Sequence, residues 1–212
     1  MIKKLMLDCE TLDVGERPVL LSIGAVVFDD KRIHQYFHVS INAETAKAHG
    51  FTVSQSTLDW WDQQSRFARS AAFNGIYHIE AALTALVNFY KQYDCQEIWS
   101  KGALADIRWV NNALDYFEMA RPWKYYNEFC FRTLLKSVPK FEIPFTGVEH
   151  NALDDAIHQA RQFIYIKSLQ MNQNKILIDQ GQRFNEMAQK VADLEFQLLQ
   201  KNTNDQYLFV NL

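Results

Sequence analysis

The chain has little cysteine and no long apolar run, and each shortage removes a class of protein. Cys9, Cys95 and Cys130 are the three cysteines in 212 residues, odd in number, widely spaced and without a C-x-x-C pair. Such a pattern supports neither a disulfide framework nor a zinc site, and it suits a reducing, cytoplasmic setting. The longest apolar stretches, such as Ala25-Val26-Val27-Phe28, fall far short of a membrane span. Lys3 and Lys4 precede only Leu5-Met6-Leu7 before Asp8, so no signal peptide and no membrane partner are expected. Strong net charge is missing too, since the formal value is -3. A local patch is nevertheless present. Arg121, Lys124, Arg132, Lys136 and Lys140 face only Glu128 within residues 121–140, which would suit a nucleic acid. Internal repeats, low-complexity segments and a G-x-S-x-G elbow are all absent, and no cysteine sits in a plausible nucleophile setting. A serine or cysteine hydrolase is therefore disfavoured.

What is present is enough apolar residue, 48%, for a substantial core. Residues 2–8 and 19–29 read as buried strands. In a third, Ile33, Phe37, Val39 and Ile41 alternate with His34, His38, Ser40 and Asn42, with Asp29-Asp30-Lys31-Arg32 as the turn before it. Helices follow: Thr57–Gln64 capped by Ser56, Ile79–Tyr93, Leu104–Met119 after the break at Gly102, and Arg132–Ser137. A short strand at Glu97–Ser100 interrupts them. Pro139 and Pro144 mark a loop, and a long helix spans Asn151–Met171. An antiparallel start running into β-α alternation predicts an α/β fold, a mixed sheet with helices on both faces.

Leu7-Asp8-Cys9-Glu10-Thr11 carries the most specific signal. Alternation along a strand puts Met6, Asp8 and Glu10 on one face, so two like charges converge at the strand end. Their repulsion is most simply relieved by a divalent cation, and an oxygen-only donor set favours magnesium or manganese. Asp106 falls in the first turn of a mid-chain helix, where the exposed N–H groups favour a carboxylate. In His150-Asn151-Ala152-Leu153-Asp154-Asp155-Ala156 a histidine precedes a helix whose first turn holds two acids. Ala152, Leu153, Ala156, Ala160, Phe163 and Ile164 form the inward stripe, and Asp155 lies nearer to it than Asp154.

Asp-x-Glu on the first strand, an Asp opening a mid-chain helix and H-x-A-L-x-D-A on a late helix together resemble the DEDDh 3'-5' exonucleases of the RNase H-like superfamily. The likeness covers about residues 1–170. Thr57-Leu58-Asp59-Trp60-Trp61-Asp62-Gln63-Gln64-Ser65 also resembles a stretch of the branch holding phage exonuclease A and bacterial exoribonucleases. The middle motif, Lys101-Gly102-Ala103-Leu104-Ala105-Asp106, departs from better-known relatives by lacking an Asn and an aromatic residue before the Asp, and Asp115 stands as its alternative. The resemblance implies two divalent cations, with Asp8 bridging both, Glu10 and Asp155 completing one site, Asp106 supporting the other, and His150 as general base. It further implies release of nucleoside monophosphates from a single-stranded 3' end of DNA or RNA, with the Thr11 backbone near the terminal sugar. Trp60, Trp61 and Phe51 are candidates for stacking, and Arg66, Lys101 and Arg132 for phosphate contact. At most one of the two adjacent tryptophans can face a base.

Beyond the expected catalytic domain at residues 1–171 lies an extension at 172–212. Leu177, Phe184, Val191 and Leu198 recur every seven residues, with Met187 and Leu194 three positions after two of them. That is the spacing of a coiled-coil seam, which favours a homodimer over a helix folded back on its own domain. The apolar end Gln206-Tyr207-Leu208-Phe209-Val210-Asn211-Leu212 loosely resembles peptides that dock on the bacterial sliding clamp. The rival to an enzyme is a catalytically silent binding or oligomerisation module on the same fold, against which the intact acids speak.

Overall fold

A computed structural model describes residues 2–209, with side chains described as far as Glu195 and at Gln197. Its centre is a five-stranded mixed sheet in the order β3-β2-β1-β4-β5. Strands β1 (Lys4–Thr11), β2 (Leu20–Phe28) and β3 (Ile33–Ser40) form an antiparallel meander. The Asp29 carboxylate closes the β2–β3 turn by accepting the N–H groups of Lys31 and Arg32 at 2.8 and 3.0 Å. Strands β4 (Glu97–Ser100) and β5 (Glu128–Cys130) extend the sheet in parallel from the other edge of β1. β2 is almost wholly apolar and β1 carries apolar residues on both faces, because both faces of the sheet are covered. Residues of β1 alternate accordingly. Leu5, Leu7 and Cys9 enter the larger core, and Met6 enters the smaller one with Phe28, Phe131 and Phe163.

Helices α1 (Ala43–Lys47), α2 (Gln55–Asp62), α3 (Arg66–Phe73), α4 (Ile79–Gln92) and α5 (Asp106–Tyr116) contribute residues to the larger core. Helices α6 (Phe131–Lys136) and α7 (Ala152–Phe209) serve the smaller one. The fold class is thus an α/β mixed sheet with a long C-terminal helix, consistent with an RNase H-like architecture.

Several local expectations need correction. β1 runs on to Thr11, so Asp8 and Glu10 lie within the strand, and a register shift falls between Glu10 and Thr11. Ser54, not Ser56, caps α2, with its hydroxyl accepting the Thr57 N–H at 3.2 Å. α3 and β5 are additions to the expected elements. α3 starts after the short link Gln63-Gln64-Ser65 with its own cap, Ser65 accepting the Ala68 N–H, and three-residue β5 is too short to show a period. The helix that begins at Ala152 does not stop near Met171 but continues to Phe209. The expected clamp-docking end is largely outside the described residues: its side chains from Gln206 onward, and all of Val210–Leu212.

The chain divides into two compact units, Met1–Lys167 and Ser168–Leu212. In the second, the apolar side chains Leu177, Phe184, Met187, Val191 and Leu194 are each more than half exposed, as are Ile176 and Ile178.

The start of α7 is set against the sheet by a glycine. Gly24 lies opposite Asp8 in the β1–β2 pair, and a Cβ there would overlap the backbone carbonyl of Ala152. Absence of a side chain at that point lets the first turn of α7 rest on the strand beside Asp8. Gly24→Ala should therefore lower stability by about 1–3 kcal/mol or more through overpacking. Urea unfolding monitored by circular dichroism measures this, and an unchanged midpoint would contradict the close approach.

Candidate active site

Three elements deliver acids to one place. β1 brings Asp8 and Glu10, α5 brings Asp106, and α7 brings Asp155 with His150 just before it. Glu10 and Asp106 are buried, and Asp8, His150 and Asp155 are partly buried. Ligand atoms of Glu10, His150 and Asp155 all lie within 4.8 Å of one another.

Local backbone features explain how each side chain is held. β4 ends at Ser100, opposite Leu7. The Cys9 N–H beyond that end is taken by the Asp106 carboxylate at 3.1 Å, which fixes the start of α5 to β1. Asp115, the alternative, sits elsewhere on α5, exposed and paired with Arg121. At the start of α7, the Asn151 side chain accepts the Leu153 and Asp154 N–H groups at 3.1 and 3.3 Å, acting as an N-cap. The two adjacent acids then divide. Asp154 accepts the Val148 N–H at 2.9 Å and holds the preceding loop, whereas Asp155 accepts the His150 N–H at 2.9 Å and stands with Glu10. His150 itself has φ of +63°, a left-handed backbone that a non-glycine residue seldom adopts and that is common at functional sites. Its ring meets Trp60 edge-on at 4.8 Å and Trp61 at 6.5 Å, so α2 forms a wall beside it.

One member of the centre is absent from the residues that the sequence motifs single out. Gln159, 3% exposed, donates from Nε2 to Asp8 Oδ1 at 2.7 Å. It lies one turn after Asp155 on the stripe that faces the sheet, where a polar residue among Ala156, Ala160 and Phe163 is the signal that marks it.

Electrostatics in the cluster are uniformly unfavourable to ionisation. Burial, followed by repulsion from Asp106, Glu10 and Asp155, holds the Asp8 carboxyl well above the usual carboxylate range. Glu10 is pushed up to about 8 by burial and then by Asp155 and Asp106. Burial likewise raises Asp106 to about 7, against the hydrogen bond from Cys9, and raises Asp155 against the bond from His150. None of the four forms an ion pair with Lys or Arg among the described residues. Four oxygen donors that repel one another, with no direct lysine or arginine ion pair among the described residues, suit hard divalent cations, and the set fits magnesium or manganese.

Beside Glu10 a cavity of about 370 Å3 is lined by Glu10, Thr11, Trp60, Trp61 and Trp109 among others. Trp61 is 1% exposed, and its indole N–H is committed to the Thr11 carbonyl at 2.9 Å, while Trp60 is 39% exposed. Arg132 is exposed and donates to the Lys101 carbonyl at 2.9 Å, so these two basic residues adjoin each other. Their charges reach the acids: Arg132 favours ionised Asp106, and Lys101 favours ionised Asp155. Phe51 is buried against Tyr116 and Phe117, and Arg66 is exposed on α3.

A family model for the 3'-5' exoribonuclease Rv2179c-like domain matches residues 3–167. The chain belongs to that family. The matched span takes in all five strands and every acid of the cluster, and it makes the chain a 3'-5' exonuclease in the general sense, a nuclease among the hydrolases. A search of curated proteins gives no match. No helix among the described residues is long and apolar enough to cross a membrane.

The raised carboxyls make a pH dependence of the cation-free protein. Because Glu10 and Asp106 hold protons in the folded state more tightly than their ordinary values of 4.5 and 3.8 allow, they contribute stability that is fully present below those values. It is lost as pH rises through about 7 to 8. In chelator, melting temperature should therefore fall between about pH 5 and about pH 8, and manganese should restore most of the loss. Differential scanning calorimetry on the native chain and on the Asp8→Asn/Glu10→Gln pair checks this. Equal slopes in the two proteins would contradict it.

Proposed function

We propose that the chain is a two-metal DEDDh exonuclease of the branch that holds phage exonuclease A and related bacterial exoribonucleases, removing nucleoside 5'-monophosphates from single-stranded 3' ends. The observation that carries this reading is the close group of Glu10, His150 and Asp155 with Asp8 and Asp106 adjoining, drawn from three distant parts of the chain. The family description favours RNA as substrate.

Asp8, Glu10, Asp106 and Asp155 would hold the pair of cations. When bound, the cations offset the charge of the scissile phosphate and favour both the attacking and the departing oxygen. His150 would take the proton from the attacking water at a ring nitrogen, since the carboxylates would be engaged with the cations and an imidazole can both accept and release a proton. The water oxygen bonds to phosphorus, the P–O3' bond breaks, and the 3' oxygen leaves on the shortened strand, where it takes a proton from solvent to become the new 3'-hydroxyl. His150 is oriented for this by its N–H bond to Asp155 and by the Trp60 ring. The cavity beside Glu10 suits the terminal nucleoside, with the Thr11 backbone at the sugar, Trp61 as a rigid lining and Trp60 as the exposed aromatic face. Lys101 and Arg132 offer positive charge for the phosphates of the strand.

The second unit supports a homodimer. With Leu177, Phe184 and Val191 at one seam position and Met187 and Leu194 at the other, the exposed apolar stripe fits a second copy of the same helix. Lys190 and Glu195 then occupy flanking positions that meet across a parallel pair, whereas an antiparallel pair would bring the cationic flank of Arg183 and Lys190 together.

Single-stranded oligoribonucleotides labelled at the 3' or the 5' end, incubated with magnesium and then with chelator, test the activity. Stepwise release from the 3' end only with metal is expected, and no release under either condition would leave a silent module. Asp8→Ala should abolish cleavage. His150→Ala should slow it about 10²- to 10⁴-fold while manganese affinity is largely kept. Equal loss of metal in both variants would contradict the separate roles. Light scattering should give twice the 24.8 kDa chain mass, falling to one chain in Phe184→Glu/Val191→Glu; a native monomer would remove the dimer.

A further inference from the structure

Gln159 is a buried neutral side chain in direct contact with Asp8 of the acid cluster. A residue so enclosed normally has its polar atoms satisfied. Here one half is satisfied and the other is not: Nε2 meets Asp8 Oδ1 at 2.7 Å, and Oε1 is buried without a partner among the described residues. With cations bound Asp8 would be ionised and could only accept, and the amide already presents N–H to it. Leaving Oε1 unpaired is unfavourable, so a core selected for stability alone would favour an apolar residue beside Ala156, Ala160 and Phe163.

The placement also explains why the donor is neutral. A lysine or arginine at this point would compensate Asp8 and compete with cations for it. An amide restrains one oxygen and adds no charge. Among the described residues no other side chain donates to Asp8, so this contact is what limits rotation of its carboxyl. The helix that carries Gln159 also carries Asp155 one turn earlier. One rigid element therefore supplies an acid to the cluster and aims a second acid that belongs to β1.

We infer that Gln159 is a positioning residue, whose carboxamide fixes the Asp8 carboxylate for cation binding without joining the reaction. This rests on the two-metal reading proposed above. Hydrogen-bond partners of metal-binding carboxylates commonly govern affinity by about 10- to 100-fold.

Gln159→Met keeps the length of the side chain and removes the donor, and Gln159→Leu serves if the first variant fails to fold. Manganese titration by calorimetry on the full chain should show affinity lowered about 10- to 100-fold. On an oligoribonucleotide at subsaturating manganese, kcat should fall with KM little changed, and excess manganese should recover most of kcat. A purely structural residue would instead lower the melting temperature of the cation-free protein and leave manganese affinity alone. Affinity within about twofold of the native chain, in a folded variant of a native chain that binds metal and cleaves, overturns the inference by itself. A native chain that binds no manganese removes the two-metal reading and the inference together.

Discussion

Mutual repulsion among four enclosed carboxylates is the constraint around which this molecule is built. Asp8, Glu10, Asp106 and Asp155 each resist ionisation, chiefly through burial, and none has a lysine or arginine ion pair among the described residues. Such an arrangement is unfavourable by itself and has to be enforced by stronger interactions elsewhere. The sheet and its two cores supply them. Leu5, Leu7 and Met6 anchor β1 on both faces, Val110 and Leu114 anchor α5, and Ala156, Ala160 and Phe163 anchor α7. Acids that would otherwise drive three elements apart are thus gathered at one end of β1, where the proposed cations would offset their charge.

The same logic accounts for smaller features. Gly24 allows α7 to start on the strand beside Asp8, the early end of β4 leaves the Cys9 N–H to Asp106, and the left-handed backbone of His150 turns its N–H onto Asp155. Each departs from what packing or propensity alone would favour. All three fall at the acid cluster, and that coincidence links sequence irregularity to function through geometry.

Much of this architecture is legible in the order of the amino acids. Period-two alternation in β1 puts Asp8 and Glu10 on one face because strand geometry leaves no other choice, and the apolar stripe of α7 separates Asp155 from Asp154 for the same kind of reason. What stays hidden depends on contacts between distant segments or on lengths too short for a period. The place of Asp106 at the start of its helix favours it over Asp115 in the sequence, but the contact that holds it, the Cys9 N–H beyond the end of β4, depends on the pairing of β4 with β1. α3 follows α2 after a short polar link, and β5 has three residues, so neither produces a distinct pattern. Trp60 and Trp61 are equivalent in sequence, yet the fold buries one with its N–H on Thr11 and leaves the other at the surface. Gln159 does carry a signal, a polar residue on an otherwise apolar helix face, but only its contact with Asp8 gives that signal a meaning. Downstream of Lys167 the heptad spacing is visible, but a spacing shows which residues can share a seam and not what covers it.

Occupancy by cations is the point on which chemistry and architecture both turn. Anomalous diffraction from crystals soaked in manganese tests it most directly. Two peaks within coordinating distance of Asp8, Glu10, Asp106 and Asp155 are expected, with both weakened in Asp8→Asn. Well-ordered crystals showing these four carboxyls in place and no anomalous peak among them would contradict the central claim.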